Sequence, residues 1–150
     1  MITPTDAFQL LIDLPVPTSS QKIALEDSIG RILAEDICAD RDFPPFNRVM
    51  MDGIAVHDIQ VTEWPLAGIA YAGEPEFNLA DSSAAVEIMT GAMLPANSQA
   101  VIKIEELEFF QQEEKPWVRY IGTTTIEKGQ FIHQQGSDAP ASQIIMAKGK

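Results

Sequence analysis

Three segments of this 150-residue chain carry the residue types and spacings that could do chemistry. The first is PPFNRVMMDGIAV at 44–56, where two prolines restrict the backbone ahead of Asp52. A loop restricted in this way could present the Asp52 carboxylate as a hydrogen-bond acceptor or as a ligand for a hard cation. The alternative is an Asp-Gly hairpin turn in which Gly53 supplies a positive φ, and the spacing alone favours that turn.

The second and third segments end in glycine-containing loops. In EIMTGAMLP at 87–95, a strand is expected to run into Thr90 and Gly91, where amides and a hydroxyl could hold an anion; the alternative is an ordinary turn with Gly91 at positive φ. HQQGSD at 133–138 contributes Asp138, and Glu105 on a strand is a further candidate carboxylate. Such loops bind Mg²⁺ through one or two carboxylates plus substrate phosphates, and they are also common surface turns.

Several other kinds of site are excluded by the residue supply. The two histidines, His57 and His133, are far apart, so no zinc-ligand spacing occurs, and neither glycine-rich phosphate-binding motif is present. Cys38 lies in an apolar segment, which favours a small core residue over a nucleophile. No catalytic triad can be argued from these residues.

One helix and a series of short strands are predicted to position the three segments. Thr3 is suited to cap a helix that begins at Pro4, with Asp6 in its first turn and prolines 15 and 17 ending it. The apolar segment 23–33 fits a helix, a strand or both, with Gly30 as a C-cap. Beyond Arg41, turn residues separate candidate strands at 53–57, 66–71, 85–89, 100–104, 117–121 and 130–133, and 144–146 is a further apolar run.

Two of these strands alternate in hydrophobicity. VEI at 86–88 and WVRY at 117–120 have period two, which predicts one buried and one solvated face.

Composition narrows the class of protein and its partners. With 22 acidic against 10 basic residues, the formal net charge is -12, which argues against binding to nucleic acid or to anionic membrane surfaces. The 45% apolar content is enough for a real core. A single cysteine allows no intramolecular disulfide, and there is neither a signal-peptide pattern nor an apolar run near the roughly 18 residues of a membrane span. We therefore expect a cytoplasmic location.

In order and spacing, the motifs resemble the N-terminal half of the molybdopterin molybdenumtransferase family. The resemblance rests on four motifs in this order. They are PPFN with MDG and a following AV, then IMTGA with LP about forty residues on, then AVI before Glu105, and finally a glycine two residues before Asp138. The stretch ALEDSIGRILAEDI at 24–37 is similar too, so the resemblance covers nearly the whole chain. This family inserts molybdate into molybdopterin and is related to the C-terminal domain of gephyrin.

The resemblance implies a site and an assembly. Family members are elongated homodimers of four-domain subunits that bind an adenylated pterin with Mg²⁺, take up molybdate and release AMP. Carried over by motif, Asp52, Thr90 and Asp138 would be catalytic, with Asp52 and Asp138 holding Mg²⁺. Thr90, Gly91 and Glu105 would bind the pterin substrate.

The chain also departs from the family pattern. VM at 49–50 replaces the usual Ser-Ala, Ile54 replaces an aromatic residue, and the loop 133–138 lacks the arginines and glutamate that usually surround Asp138. That loop therefore has no bidentate guanidinium to hold an anion.

The expected fold is α+β and mostly β. A discontinuous helix-containing domain, 1–42 with 127–150, would carry an inserted β-rich, barrel-like domain at 43–126. The family's catalytic α/β domain and its C-terminal domain would follow Lys150, so we expect this region alone to be inactive, because a site built from several domains loses its geometry when one is missing. The alternative function is a non-catalytic acidic scaffold that binds a basic partner.

Overall fold

The chain is mostly β, as predicted. A computed structural model describes residues 2–15 and 17–150, and the chain divides into a larger compact unit, Ile37–Ile145, and a smaller one, Met1–Asp36 with Met146–Lys150. The elements in chain order are α1 Pro4–Ile12, a 3-10 helix Leu25–Asp27, β1 Ile37–Cys38, β2 Arg48–Val49, β3 Gly53–Val56, β4 Glu63–Ala70, β5 Ala85–Ile88, β6 Ala100–Lys103, a second 3-10 helix Ile104–Glu106, β7 Leu107–Gln112, β8 Lys115–Tyr120, β9 Ile132–His133 and β10 Ile144–Met146.

The smaller unit contains α1, which begins where the sequence predicts. Thr3 caps the helix: its hydroxyl accepts a hydrogen bond from the Asp6 amide at 3.2 Å, and the Asp6 carboxylate accepts one from the Thr3 amide at 3.3 Å. This reciprocal pair is a capping box. The segment that fits a helix or a strand forms only the short 3-10 helix Leu25–Asp27 and a turn in which Gly30 has φ +78°.

The larger unit is built on a six-stranded sheet in the order β6-β3-β5-β4-β8-β7. β3 is antiparallel to both neighbours, β4 and β5 are parallel, and β4, β8 and β7 form antiparallel pairs. The strands predicted at 53–57, 66–71, 85–89, 100–104 and 117–121 each correspond to a strand of this sheet, with ends that differ by up to three residues.

Apolar clusters lie on both sides of the central strands, so the prediction of one solvated face holds only in part for β5: Val86 and Ile88 are buried, while Glu87 is half-buried and Ala85 on the same face is buried. Ile54 and Val56 of β3 join one apolar cluster with Trp64, whereas Ala55 joins a second cluster with Val86. Because successive side chains of a strand point to opposite faces, the sheet has a core on each side. The prediction holds for β8, where Val118 is buried and Arg119 is exposed.

Sequence reasoning missed the edge strand β7 and the two-residue strand β2. β7 forms a hairpin with β8 through Glu113 and Glu114, both at positive φ (51° and 62°), as a type I′ turn requires. That turn lacks the Asn-Gly signal of such hairpins and has two glutamates instead. β2 pairs with β9, the observed part of the predicted strand 130–133, and both contribute to the second core cluster.

Cys38 corrects a second expectation, since its side chain is exposed on β1 rather than part of a core. Over the described residues, no helix has the length and apolar character needed to cross a membrane. The two compact units are defined by contacts within this chain and do not test the predicted domains. The domain limits 1–42 with 127–150, and 43–126, therefore stay a prediction.

Replacing Ile54 with Ala should lower the free energy of unfolding by about 2–5 kcal/mol, because Ile54 is fully buried and its loss leaves a cavity in the first cluster. The matched control is Ile121→Ala, at a side chain that is 54% exposed, where we expect a loss below about 1 kcal/mol. Urea unfolding of both variants measures the difference. Equal losses at the two positions would contradict this assignment of the core.

Candidate functional site

Three of the predicted site residues lie at one end of the six-stranded sheet. Asp52 directly precedes β3, Thr90 follows the end of β5, and Glu105 lies in the 3-10 helix after β6. Since β3 is antiparallel to both neighbours, Gly53 at its start is in register with Ile88 and with Lys103, the last residues of those two strands. The topology therefore brings the three side chains to the same sheet end.

Asp52 and Thr90 are directly bonded. One carboxylate oxygen, Oδ1 of Asp52, accepts hydrogen bonds from both the hydroxyl and the amide of Thr90, each at 2.6 Å. The hydroxyl bond, and then the amide bond, lower the pKa of Asp52 below its ordinary value, because both stabilise the charged form. The site therefore holds a fixed, ionised carboxylate.

The alternative interpretation of Asp52-Gly53 as a hairpin turn is wrong. The strand before it, β2, pairs with β9, and the strand after it, β3, pairs with β5 and β6. Gly53 is needed for a different reason: a Cβ there would collide with the carbonyl oxygen of Ile102 on β6.

The backbone amides after β5 do not form the predicted anion cradle. The Thr90 amide donates to Asp52, the Gly91 amide to the Val49 carbonyl at 2.9 Å, and the Ala92 amide to the Met89 carbonyl at 3.0 Å. Gly91 has φ +88°, as the ordinary-turn alternative predicts. An anion at this strand end would need donors other than these amides.

All three motif segments meet at β2. On one side Val49 exchanges backbone hydrogen bonds with Gly91 and Ala92, and Arg48 forms a bridge with Met93. On the other side Arg48 and Val49 are in register with His133 and Ile132 of β9. A cavity of about 210 Å³ beside this strand is lined from the same three segments, among others by Asn47, Met93 and Gln135.

Asp138 belongs to a loop that several side chains hold in place. Its carboxylate accepts a hydrogen bond from Nε2 of His133 at 2.8 Å, and Nδ1 of His133 accepts one from the Arg48 guanidinium at 3.0 Å. These roles follow because a guanidinium only donates and a carboxylate only accepts. The Asn47 side chain accepts from the Gln135 amide at 2.9 Å.

Asp42 anchors the same loop. It accepts hydrogen bonds from the Ala141 amide and from the side chain of Gln135, each at 2.8 Å, and these two bonds lower the pKa of Asp42. Within the described residues, no hydrogen bond joins Asp138 to Asp52 or Thr90.

Glu105 lies beside the Asp52 backbone. The amide of its neighbour Ile104 donates to the Asp52 carbonyl at 2.9 Å, while the Glu105 side chain is exposed. The adjacent Glu106 pairs with Lys103 at 3.4 Å. Glu105 is thus placed at the sheet end, and within the described part of the chain no hydrogen bond fixes its carboxylate.

Protein ligands for a metal ion are few at this site. Across 2–15 and 17–150, no group of three or more His, Cys, Asp or Glu side chains is arranged to hold a metal ion. In the same residues, Oδ2 of Asp52 accepts no hydrogen bond. Because Mg²⁺ is often bound by one or two carboxylates with substrate oxygens completing its shell, Asp52 fits such a partial site.

A larger cavity lies away from this site. Its volume is about 810 Å³, and its lining includes His57, which follows β3, and Gln99, which precedes β6. These residues mark the opposite end of the sheet from Asp52. None of the predicted site residues lines it.

Sequence reasoning did not single out Arg48, His133, Asn47 or Asp42. A signal was present for Arg48, since it is the only Lys or Arg in the three motif segments. The pairing of Asn47 and Asp42 with residues about ninety positions away has no local signal.

Replacing Thr90 with Val should raise the pKa of Asp52, because the hydroxyl is the largest cause of the lowered pKa. A lowered folded-state pKa contributes stability above the ordinary carboxyl pKa, and this contribution is lost as the pH falls through the folded value. The variant should therefore lose stability at neutral pH and approach the wild type in acid. The pH titration of the Asp52 carboxyl carbon by NMR measures the shift.

Thr90→Ser is the matched control, since it keeps a hydroxyl donor and should keep the wild-type pKa of Asp52. An unchanged titration in Thr90→Val would show that the hydroxyl bond does not act on the carboxylate.

Comparisons with known proteins show the family of this chain. The family model for the MoeA N-terminal region (domain I and II) matches residues 2–150. The chain is 39% identical over 126 residues to the molybdopterin molybdenumtransferase of Synechocystis sp., covering 81% of this chain and 31% of that protein. It is 35% identical over 152 residues to the Haemophilus influenzae protein of the same name, covering 93% and 37%.

A solved structure supports the same relationship. The crystal structure of the molybdopterin biosynthesis MoeA protein from Pyrococcus horikoshii matches with a TM-score of 0.79 and 26% identity, covering 100% of this chain and 39% of that chain. The chain thus spans roughly a third of the length of these relatives. The family resemblance inferred from the motifs is confirmed, and the chain belongs to the MoeA family through its N-terminal region.

Proposed function

We propose that this chain is the N-terminal region of an enzyme of molybdenum cofactor biosynthesis that inserts molybdate into adenylated molybdopterin and releases AMP. The observation that carries the proposal is the bonded pair of Asp52 and Thr90, at the sheet end beside the strand where the family's motifs meet. The relatives named molybdopterin molybdenumtransferase support the reaction class.

In this proposal Asp52 is the principal protein ligand of Mg²⁺. Its Oδ1 is oriented by Thr90, and Oδ2 is left to face a cation whose other ligands are substrate oxygens. Mg²⁺ would neutralise charge on the phosphates of the adenylated substrate. Thr90 acts by holding Asp52 charged and oriented, and Gly91 shapes the turn that aligns β2.

Glu105 and Asp138 have supporting roles in the same proposal. Glu105 lies next to the residue that bonds the Asp52 backbone, which suits contact with the pterin substrate. Asp138, held by His133, would be a second carboxylate toward Mg²⁺ and a catalytic group. The region alone would be inactive, because the substrate also needs groups from the part of the relatives that this chain does not span.

Asp52→Asn in the full-length protein should reduce cofactor formation roughly 100-fold or more, because it removes the charge that faces the cation while keeping the size of the side chain. The readout is molybdenum cofactor formed from adenylated molybdopterin and molybdate at several Mg²⁺ concentrations. The control is Asp58→Asn, since Asp58 is also an exposed aspartate that accepts a backbone hydrogen bond but lies beside the larger cavity.

Calorimetric titration with Mg²⁺ in the presence of the adenylated substrate separates the two carboxylates. Weaker Mg²⁺ binding in Asp52→Asn but unchanged binding in Asp138→Asn would remove Asp138 from the metal site. Normal cofactor formation in Asp52→Asn would reject the proposed function of this sheet end.

We also propose that the full-length protein is a cytoplasmic homodimer, as the family resemblance implies. Apolar side chains of α1 support an assembly that covers this helix: Phe8 and Leu11 are 64% and 66% exposed, and no residue of the helix is buried within this chain. A nine-residue helix is marginal without tertiary packing. The exposed thiol of Cys38 suits a reducing compartment.

Light scattering on the full-length protein should give twice the subunit mass, and Leu11→Asp should shift the equilibrium toward the monomer, since it places a charge in the covered face. Asp13→Asn, at the C-cap of α1, is the control that should leave the mass unchanged. A wild-type protein with the mass of one subunit would contradict the dimer.

A further inference from the structure

Arg48 differs from the other arginines of the larger unit in its partners. Arg41 has the Asp40 carboxylate at 3.8 Å, and Arg119 has two carboxylates, those of Glu63 at 2.7 Å and Glu108 at 3.3 Å. The guanidinium of Arg48 instead bonds Nδ1 of His133, and among the described residues it has no carboxylate within ion-pair distance. Among the described residues other basic side chains, such as Lys115 and Lys128, also lack an acidic partner, so what distinguishes Arg48 is that a histidine holds its guanidinium.

Histidine bonding orients Arg48 but does not neutralise it. Nδ1 of His133 accepts from Arg48 and Nε2 donates to Asp138, so the ring lies between the guanidinium and the carboxylate and no carboxylate bonds Arg48 directly. A guanidinium has five N–H donors in a planar fork. One bond to His133 leaves most of that fork free, and the Arg48 residue is exposed.

Arg48 lies where the backbone offers no free N–H donor to an anion. The amides of Thr90, Gly91 and Ala92 all donate to protein oxygens, so they offer nothing to an anion. Arg48 lies on β2, directly alongside this segment, and is the only Lys or Arg of the three motif segments. A planar guanidinium binds tetrahedral oxyanions through two parallel hydrogen bonds.

We propose that Arg48 binds a tetrahedral oxyanion of the substrates, with His133 as a positioning residue that holds its guanidinium. The shared chemistry is that of a phosphate group of the adenylated pterin and of free molybdate. The inference rests on the proposed function for the identity of the anion, while the site itself rests on an exposed guanidinium that His133 holds beside the segment after β5.

The test is oxyanion binding by the full-length protein, measured by calorimetry with molybdate alone and with pyrophosphate alone. Arg48→Gln should weaken binding of one of these anions by about 10-fold to 100-fold, because a hydrogen bond to a charged group is lost. Arg48→Lys should bind with intermediate affinity, since it keeps the charge but not the fork. Arg41→Gln is the matched control and should bind as the wild type does, because Arg41 already has an acidic partner.

The two arms identify the anion. A loss confined to molybdate assigns Arg48 to the molybdenum oxyanion, and a loss confined to pyrophosphate assigns it to the phosphates of the adenylated substrate. For His133, the glutamine variant keeps an acceptor for Arg48 and should retain most of the affinity, whereas His133→Leu should lose it. Equal losses in the glutamine and leucine variants would reject the positioning role.

Two outcomes overturn the proposal: a wild-type protein that binds neither anion, and an Arg48→Gln variant that binds both as tightly as the wild type. The result is independent of the Asp52 experiment. Loss of cofactor formation in Asp52→Asn with unchanged oxyanion binding in Arg48→Gln would reject only the role of Arg48. Normal cofactor formation in Asp52→Asn with weakened oxyanion binding in Arg48→Gln would reject the proposed function and keep the oxyanion site.

Discussion

The pairing of β3 with two antiparallel neighbours is the constraint on which the rest of the structure depends. Every residue of β3 is buried, and its first residue is in register with the last residues of β5 and β6. One strand start therefore meets two strand ends, whatever the loops between them do. Glycine is required at that start because any side chain would collide with the Ile102 carbonyl on β6. The close approach of β3 to β6 therefore also determines where Asp52, the residue before Gly53, lies.

The segment after β5 builds the sheet end and offers no free amide to an anion. Its amides and the Thr90 hydroxyl all donate to protein oxygens: Thr90 fixes the Asp52 carboxylate, and Gly91 with Ala92 aligns β2. This explains how a strand of two residues can have a defined place between two other segments. The anion proposed to bind here would therefore be held by side chains or through a cation, because the chain is acidic on average.

Much of the local structure could be predicted from the sequence, since its causes are local. The cap of α1 depends on residues three apart, and β3 and β6 are short apolar runs. What could not be predicted depends on distant partners. The hydrogen bond from Thr90 to Asp52 joins residues 38 positions apart, and the one from Gln135 to Asp42 joins residues 93 positions apart. The edge strand β7 was missed because adjacent phenylalanines break its alternation and its turn has two glutamates.

The register of β2 connects the packing of the core with the placement of the site residues. A slip of one residue along a strand exchanges its two faces, and a strand of two residues cannot resist such a slip through its own hydrogen bonds. In β2, Val49 supplies the resistance, because it is 1% exposed and packs in the second core cluster with Val86 and Ile88. Burial of Val49 forces its neighbour Arg48 to the exposed side, where it is in register with His133. Val49 thus sets the side of the strand on which Arg48 lies, and His133 orients its guanidinium, so a core contact determines where this positive charge of an acidic chain is presented.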